Sequence, residues 1–167
     1  MRLLFSEIRK MPIKYAHTNI ISSNWLRLAN FYIKVFDCKV LGPCRNLHGQ
    51  SLSLGTGVKD AEIEGVHLAL PGYSKEGPTL EIFQYRKYRE RPLGYANSTG
   101  LAHIAFEVKS ISEICAEVAI HGGKFLGKIV NQTVEGVGVC EFAYVRDPDG
   151  NIIEVLRWKK NGIPCPV

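Results

Sequence analysis

The chain has few cysteines, no long apolar run and no block of like charge. Its five cysteines, Cys38, Cys44, Cys115, Cys140 and Cys165, are odd in number and form no Cys-x-x-Cys pair, which argues against a disulfide framework and against a zinc ribbon. No stretch approaches the roughly 20 apolar residues of a membrane-spanning helix, and Met1 to Pro12 has neither the apolar core nor the small-residue cleavage site of a signal peptide. No membrane partner is expected, and cytoplasmic residence follows by default. The net charge of +5 and pI near 9.0 are a modest excess, suited to steering an anionic small molecule or to keeping the protein in solution. One dense basic run, Arg86, Lys87, Arg89 and Arg91 among Tyr85 and Tyr88, lacks a nucleic-acid-binding motif around it, so it reads as a solvated linker and no nucleic-acid partner is expected. What the chain does have is 167 residues that are 46% hydrophobic, enough for one domain or for two small modules sharing a core.

Residues 1–12 form an extension whose Leu4, Phe5 and Ile8 could share one side of a short turn before Pro12 ends it. Alternation predicts a strand over Ile13 to Ile21, with Tyr15, His17, Asn19 and Ile21 on one face. Ser22, Ser23 or Asn24 then caps a helix reaching about Phe36, whose Trp25, Leu28, Ala29, Tyr32, Val35 and Phe36 recur at helical spacing. Extended pieces are expected near Cys38 to Leu41 and Ser51 to Leu54, a loop over Gly55 to Glu64, and strands over Gly65 to Leu70 and Pro78 to Tyr85. Residues 86–99, with Pro92, Gly94, Asn97 and Ser98, read as a linker. The order then begins again. A strand over Leu101 to Val108 leads to a helix capped by Ser110 or Ser112 and closed by Gly122-Gly123, then to strands over Phe125 to Val130 and Gly138 to Val145. The turn Asp147-Pro148-Asp149-Gly150-Asn151 launches the last strand, through Trp158. The chain thus divides into an extension (1–12), a first β-α-β-β-β module (13–85), a linker (86–99), a second β-α-β-β-β module (100–158) and a tail (159–167).

That last strand puts Glu154 on the face of Ile152 and Leu156, a costly place for a carboxylate unless it is paired, protonated or bound to a metal. A strand-edge glutamate whose head reaches water is the plainer reading for any one such residue. The repeat supplies the counterargument. His17 and His103 lie in the first strands of the two copies, and Glu81 and Glu154 lie in the last strands. Two imidazoles and two carboxylates suit a divalent transition metal, leaving positions for water or substrate if the ion is six-coordinate. His67, in the third strand of the first copy, reads as a packed or hydrogen-bonded histidine rather than a functional one. His48 and His121 read as solvated.

Three segments carry a resemblance to a known family: Phe31-Tyr32-Ile33-Lys34-Val35-Phe36, Gly100-Leu101-Ala102-His103-Ile104-Ala105-Phe106, and Asp147-Pro148-Asp149-Gly150-Asn151-Ile152-Ile153-Glu154. Over about Ile13 to Trp158 the sequence resembles the vicinal oxygen chelate superfamily, which includes glyoxalase I, methylmalonyl-CoA epimerase, fosfomycin- and bleomycin-resistance proteins and extradiol dioxygenases. It departs from the family at Asp37-Cys38, where glycine is usual. The resemblance implies an α+β fold in which the two modules form a curved mixed sheet around a metal-binding cleft. It also implies a homodimer and a divalent ion (Ni, Zn, Co, Mn or Fe) at His17, Glu81, His103 and Glu154, closest to the ligand set of bacterial-type glyoxalase I. The implied activity is a lyase, isomerase or epimerase that acts on a small-molecule substrate, which can be anionic, by taking a proton next to a chelated carbonyl. Glu81 or Glu154 would be the base, the repeat leaving open which. Tyr15, Phe83, Tyr85, Leu101 and Leu156 share the strand faces that would exclude water. Two alternatives belong to the same resemblance. One is an Fe(II)-dependent extradiol-type dioxygenase using His17, His103 and Glu154 with further acid–base residues; the other is a non-catalytic protein that binds a small molecule or drug. A structural zinc closed by all four ligands is also open. The basic run follows the strand of Glu81 directly, so its cations could contact an anionic substrate group.

Overall fold

Polar caps and apolar stripes place the two longer helices where periodicity expects them. The computed structural model describes residues 13–74 and 76–159; the extension at 1–12 and most of the tail lie outside them. Helix α1 (Trp25–Phe36) begins where the Asn24 side chain accepts from the Arg27 amide at 3.0 Å, relieving one of the unpaired first-turn donors. It ends at Asp37, which takes the left-handed conformation (φ 54°) that glycine adopts most readily. The departure at Asp37 thus stays within a turn. Helix α3 (Ile111–Ile120) is capped by Ser110, whose hydroxyl accepts from the Glu113 amide.

The first module runs β1 (His17–Ile21), α1, β2 (Lys39–His48), α2 (Gln50–Thr56), β3 (Glu62–Ala69) and β4 (Thr79–Tyr85). The second runs β5 (Ile104–Glu107), α3, β6 (Lys124–Phe125), β7 (Val130–Val134), β8 (Gly138–Arg146) and β9 (Ile152–Lys159). The fold is α+β, and its strands form two sheets rather than one, ordered β1-β4-β3-β2 and β5-β9-β8-β6 with β7 paired to β8. In each sheet the first strand lies parallel to the last, β1 beside β4 and β5 beside β9.

Several local expectations are corrected. Ser51 to Leu54 is not extended but lies in the short helix α2. Glu62 to Glu64 belongs to β3 rather than to a loop, because its backbone pairs with β2 and β4 at once. The strand expected over Phe125 to Val130 splits into β6 and β7, which both pair with β8. Residues 13–16 and 101–103 precede their strands without regular structure.

One core serves both modules. Leu28, Tyr32 and Val35 of α1 join Leu80 and Ile82 of β4, Cys115 and Val118 of α3, Val145 of β8, and Ile153 and Val155 of β9 in a single buried cluster. Phe36 stacks on Phe106 of β5 at 4.2 Å between ring centroids. At the centre of the joint the buried Tyr32 hydroxyl donates to Asp147 Oδ2 at 3.0 Å. Asp147 also receives the backbone amides of Asp149 and Asn151 and the Asn151 side chain. The Asp-Pro-Asp-Gly-Asn turn is therefore anchored to the other module's helix, and Arg27 reinforces it with an ion pair to Asp149.

Alternation decides what the sheets show to the outside. Leu80 and Ile82 on β4, and Ile153 and Val155 on β9, face the shared core. Glu81 and Glu154 therefore occupy the opposite faces, and both lie outside the layer of helices. No helix among the described residues is long and apolar enough to cross a membrane.

Candidate metal half-sites

On the first face the register builds a row of three polar side chains across β1, β4 and β3. Glu81 stands directly between Asn19 and His67, its partners in the parallel and antiparallel ladders. Asn19 Nδ2 donates to Glu81 Oε2 at 3.3 Å, while His67 Nε2 lies 3.2 Å and His17 Nδ1 3.4 Å from Oε1. Glu81 is only 8% exposed, so its carboxylate needs these contacts or a cation to offset lost hydration. Burial holds the His67 imidazole below its ordinary pKa against an upward pull from Glu81, with Arg45 and His17 adding to the depression. Its ring meets Phe83 edge-on at 5.6 Å. Phe83 has room because its ladder partner is Gly65, where a Cβ would come within 2.4 Å of the ring and 2.1 Å of the Ile82 carbonyl oxygen.

The second face repeats the plan with different neighbours. Glu154 of β9 stands between Ala105 of β5 and Tyr144 of β8, and His103 Nε2 lies 3.1 Å from its Oε2. The Tyr144 ring sits 5.2 Å from that of His103 and 5.8 Å from that of Phe142. Burial first, and then the charge of Glu154, raises the Tyr144 pKa above its ordinary value. Phe142 pairs with Leu156, so the carboxylate has an apolar flank.

Both imidazole–carboxylate pairs have the spacing of neighbouring ligands. Two donors each about 2.1 Å from one ion stand roughly 3.0 Å apart at a right angle and 3.4 Å apart at the tetrahedral angle. The observed 3.4 and 3.1 Å match that range, and imidazole with carboxylate is a donor set suited to a borderline divalent ion. The chain does not, however, gather all four residues into one group. Among the described residues no cluster of three or more His, Cys, Asp or Glu is placed to hold a metal ion. The four residues expected to converge on one ion in a cleft between two modules stand in this chain as two pairs, one on the outer face of each sheet. The physical reason is the shared core, which occupies the space between the sheets.

Sequence reasoning gave no part beside the glutamates to Asn19, His67 or Tyr144. His67 is indeed packed and paired, as expected, but its partner is Glu81. The β3–β4 hairpin carried the signal, since positions 67 and 81 are equidistant from its tip near residue 74 and so face each other once the strands pair. The expected water-excluding wall holds only in part. Phe83 is buried and Tyr85 and Leu156 half-buried, but Tyr15 and Leu101 are exposed where the chain enters its edge strands. His48 is exposed at the end of β2, and His121 ends α3 within 3.4 Å of Glu117.

The basic run divides by partner. Arg86 forms an ion pair with Glu62 at 2.9 Å, and Arg91 donates to Asn151. Arg89 lines a cleft of about 570 Å³ at the seam of the modules, together with Arg27, Arg91, His103 and Asp149.

Two tandem modules, each with its first strand parallel to its last and each presenting an imidazole–carboxylate pair, define the class. A family model, that of the Glyoxalase/Bleomycin resistance protein/Dioxygenase superfamily, matches residues 14–155, and the chain belongs to that superfamily. It is 27% identical over 150 residues to the lactoylglutathione lyases of Escherichia coli O157:H7 and Shigella flexneri, covering 90% of this chain and 96% of each relative. A glyoxalase family protein from Bacillus cereus superposes with a TM-score of 0.78 at 16% identity, over 93% of this chain and all of that one. A glyoxalase I mutant from Zea mays gives 0.62 at 19% identity, over 91% of this chain and 47% of that one. At these identities the structural likenesses speak for the fold alone.

Proposed function

We propose that the protein is a divalent-metal-dependent lyase or isomerase of the glyoxalase type. In this reading His17 and Glu81 of one copy and His103 and Glu154 of a second copy hold the ion. The observation that carries it is the pair of equivalent imidazole–carboxylate contacts at 3.4 and 3.1 Å on outer faces. Two further features support completion by a second copy. Strands β1 and β5 end their sheets, which leaves ladder groups to pair with another chain. Ile21, Leu101 and Tyr15 at those edges are exposed apolar surface. A two-fold dimer that sets β1 of one copy beside β5 of the other would bring one half-site of each together, twice per dimer.

When bound, the ion would supply Lewis acidity toward the oxygens of a chelated substrate. The chain's own residues then divide the remaining work. Glu81, held by Asn19 and His67, serves as a fixed ligand. Glu154, flanked by Ala105 and Tyr144, is the carboxylate with freedom to take a proton from the carbon next to the carbonyl. Phe142, Tyr144 and Leu156 shield that exchange from water. Arg89, in the seam cleft beside His103, offers its charge to an anionic substrate group. The lactoylglutathione lyase relatives suggest a glutathione thiohemiacetal as the first substrate to assay. Cys38, Cys44, Cys115 and Cys140, which form no disulfide among the described residues, suit a cytoplasmic setting.

Mixing two inactive chains tests both the site and its sharing. One chain carries His17→Ala and Glu81→Ala, the other His103→Ala and Glu154→Ala. A shared site leaves one intact centre in each heterodimer, so random mixing should restore about a quarter of wild-type metal content and activity. A site within one chain restores nothing. Iron-dependent ring cleavage is the second reading. It is favoured by His67 and Tyr144, two proton-carrying groups beside the carboxylates, and stoichiometric Fe(II) with oxygen uptake would select it. Failure of the protein to bind any divalent ion would leave the drug-binding reading.

A further inference from the structure

We propose that His67, with Asn19, is a positioning residue that locks the Glu81 carboxylate in its ligating orientation, a part that has no counterpart in the second module. The proposal rests on the metal-site reading above and adds a division of labour between the half-sites. Glu81 lies in a central strand with one polar neighbour on each side in exact ladder register: Asn19 on β1 contacts Oε2 at 3.3 Å, and His67 on β3 approaches Oε1 at 3.2 Å. Each carboxylate oxygen therefore has its own partner, which restrains rotation about the terminal torsion, ordinarily a soft one. The partners are themselves restrained. The His67 ring is half-buried against Phe83, and Phe83 is seated over Gly65, where no side chain fits.

The corresponding row of the second module is Ala105, Glu154 and Tyr144. A methyl group replaces the amide, and the aromatic ring sits against His103. Nothing in that row grips both carboxylate oxygens. Groups that orient a ligand typically change metal affinity 10- to 100-fold when removed, so the clamp should be visible in affinity independently of turnover.

The test is a titration of the metal-free protein with Co(II), followed by its visible absorption and by competition with a chromophoric chelator. His67→Ala should weaken Co(II) binding by about ten-fold or more, and His67→Gln, which retains a donor, should return to within about three-fold of wild type. Asn19→Ala should weaken binding in the same direction, which keeps the idea testable if His67→Ala fails to fold. A partnership that is merely structural would lower the melting temperature of the metal-free protein and leave the affinity alone, overturning the proposal. Unchanged affinity in both His67→Ala and Asn19→Ala also overturns it. If His67→Ala and His67→Gln lose Co(II) as completely as His17→Ala does, His67 is itself a ligand and the positioning role is wrong. If wild type binds no Co(II), or Glu81→Ala binds it as tightly as wild type, the metal-site reading fails and takes the clamp with it. That outcome is distinct, since it appears before His67 is touched.

Discussion

The rows Asn19–Glu81–His67 and Ala105–Glu154–Tyr144 occupy the same place in two modules with the same strand order around their glutamates, yet they surround those glutamates differently. In the first, the carboxylate is 8% exposed and contacted on both oxygens. In the second, it is half-buried, close to one imidazole and flanked by a methyl group and a phenol. A duplicated fold preserves where a side chain points, because that depends on strand pairing and two-residue alternation. It does not preserve what the side chain can do, because that depends on three or four neighbours that may be substituted without disturbing the ladder.

The largest effect should come from removing each carboxylate in turn. Glu154→Gln should lower kcat by about a thousand-fold with the metal retained, because the base is lost and an oxygen donor stays. Glu81→Gln should chiefly weaken metal binding, with much of the turnover regained at saturating metal. The reverse pattern, measured by kcat and by metal content, would break the proposed division.

Grafting sharpens it further. The pair Ala105→Asn with Tyr144→His copies the first row into the second module, and should hold Glu154 in place. Expected results are metal affinity equal to or above wild type and a kcat reduced about 10- to 100-fold. Unchanged turnover would show that the freedom of Glu154 is irrelevant.

A third comparison concerns the linker, where Arg86 and Arg91 have protein partners and Arg89 faces the seam cleft. Arg89→Gln should raise KM for an anionic substrate about ten-fold, the equivalent of one charge-assisted hydrogen bond, and the difference should shrink with added salt. Equal effects from Arg86→Gln would remove the distinction.

The smallest expected effect is at the joint that holds the modules together. Tyr32→Phe removes the hydrogen bond to Asp147 and should cost about 1 kcal/mol in denaturant unfolding. Asp147 also sets a pH dependence. Burial raises its pKa above the ordinary carboxylate value, only partly opposed by its hydrogen bonds from Asn151, Tyr32 and Asp149. A folded state that holds the proton more tightly than the unfolded chain has, from this group, most stability below the ordinary value, losing it as pH rises to the folded value and remaining level above. Asp147→Asn should flatten that segment of the stability–pH curve, as thermal melts across acidic pH would show.

Much of the architecture was legible in the residues. The helical stripe from Trp25 to Phe36, the Asn24 and Ser110 caps, and the Asp-Pro-Asp-Gly-Asn turn are signals contained within a few neighbouring positions, and the elements formed where they point. The equivalence of His17 with His103 and of Glu81 with Glu154 was also legible, because a repeat carries equivalent residues to equivalent places. The helix at Gln50 to Thr56 was not. Its seven residues bury no side chain, so no apolar stripe announced it.

By itself, then, the sequence determined the repeated strand–helix order, the side-chain types at the candidate site and the strand faces on which they lie, since alternation and turn chemistry are local. Three matters were decided only by tertiary structure. Cross-strand register set His67 and Asn19 against Glu81 but Tyr144 and Ala105 against Glu154. The packing of α1 onto Phe106 and Asp147 closed a core between the modules. That core turned the two carboxylates to separate outer faces, because a sheet buries one side only where apolar partners from distant parts of the chain meet it, and no local pattern records which partners those will be.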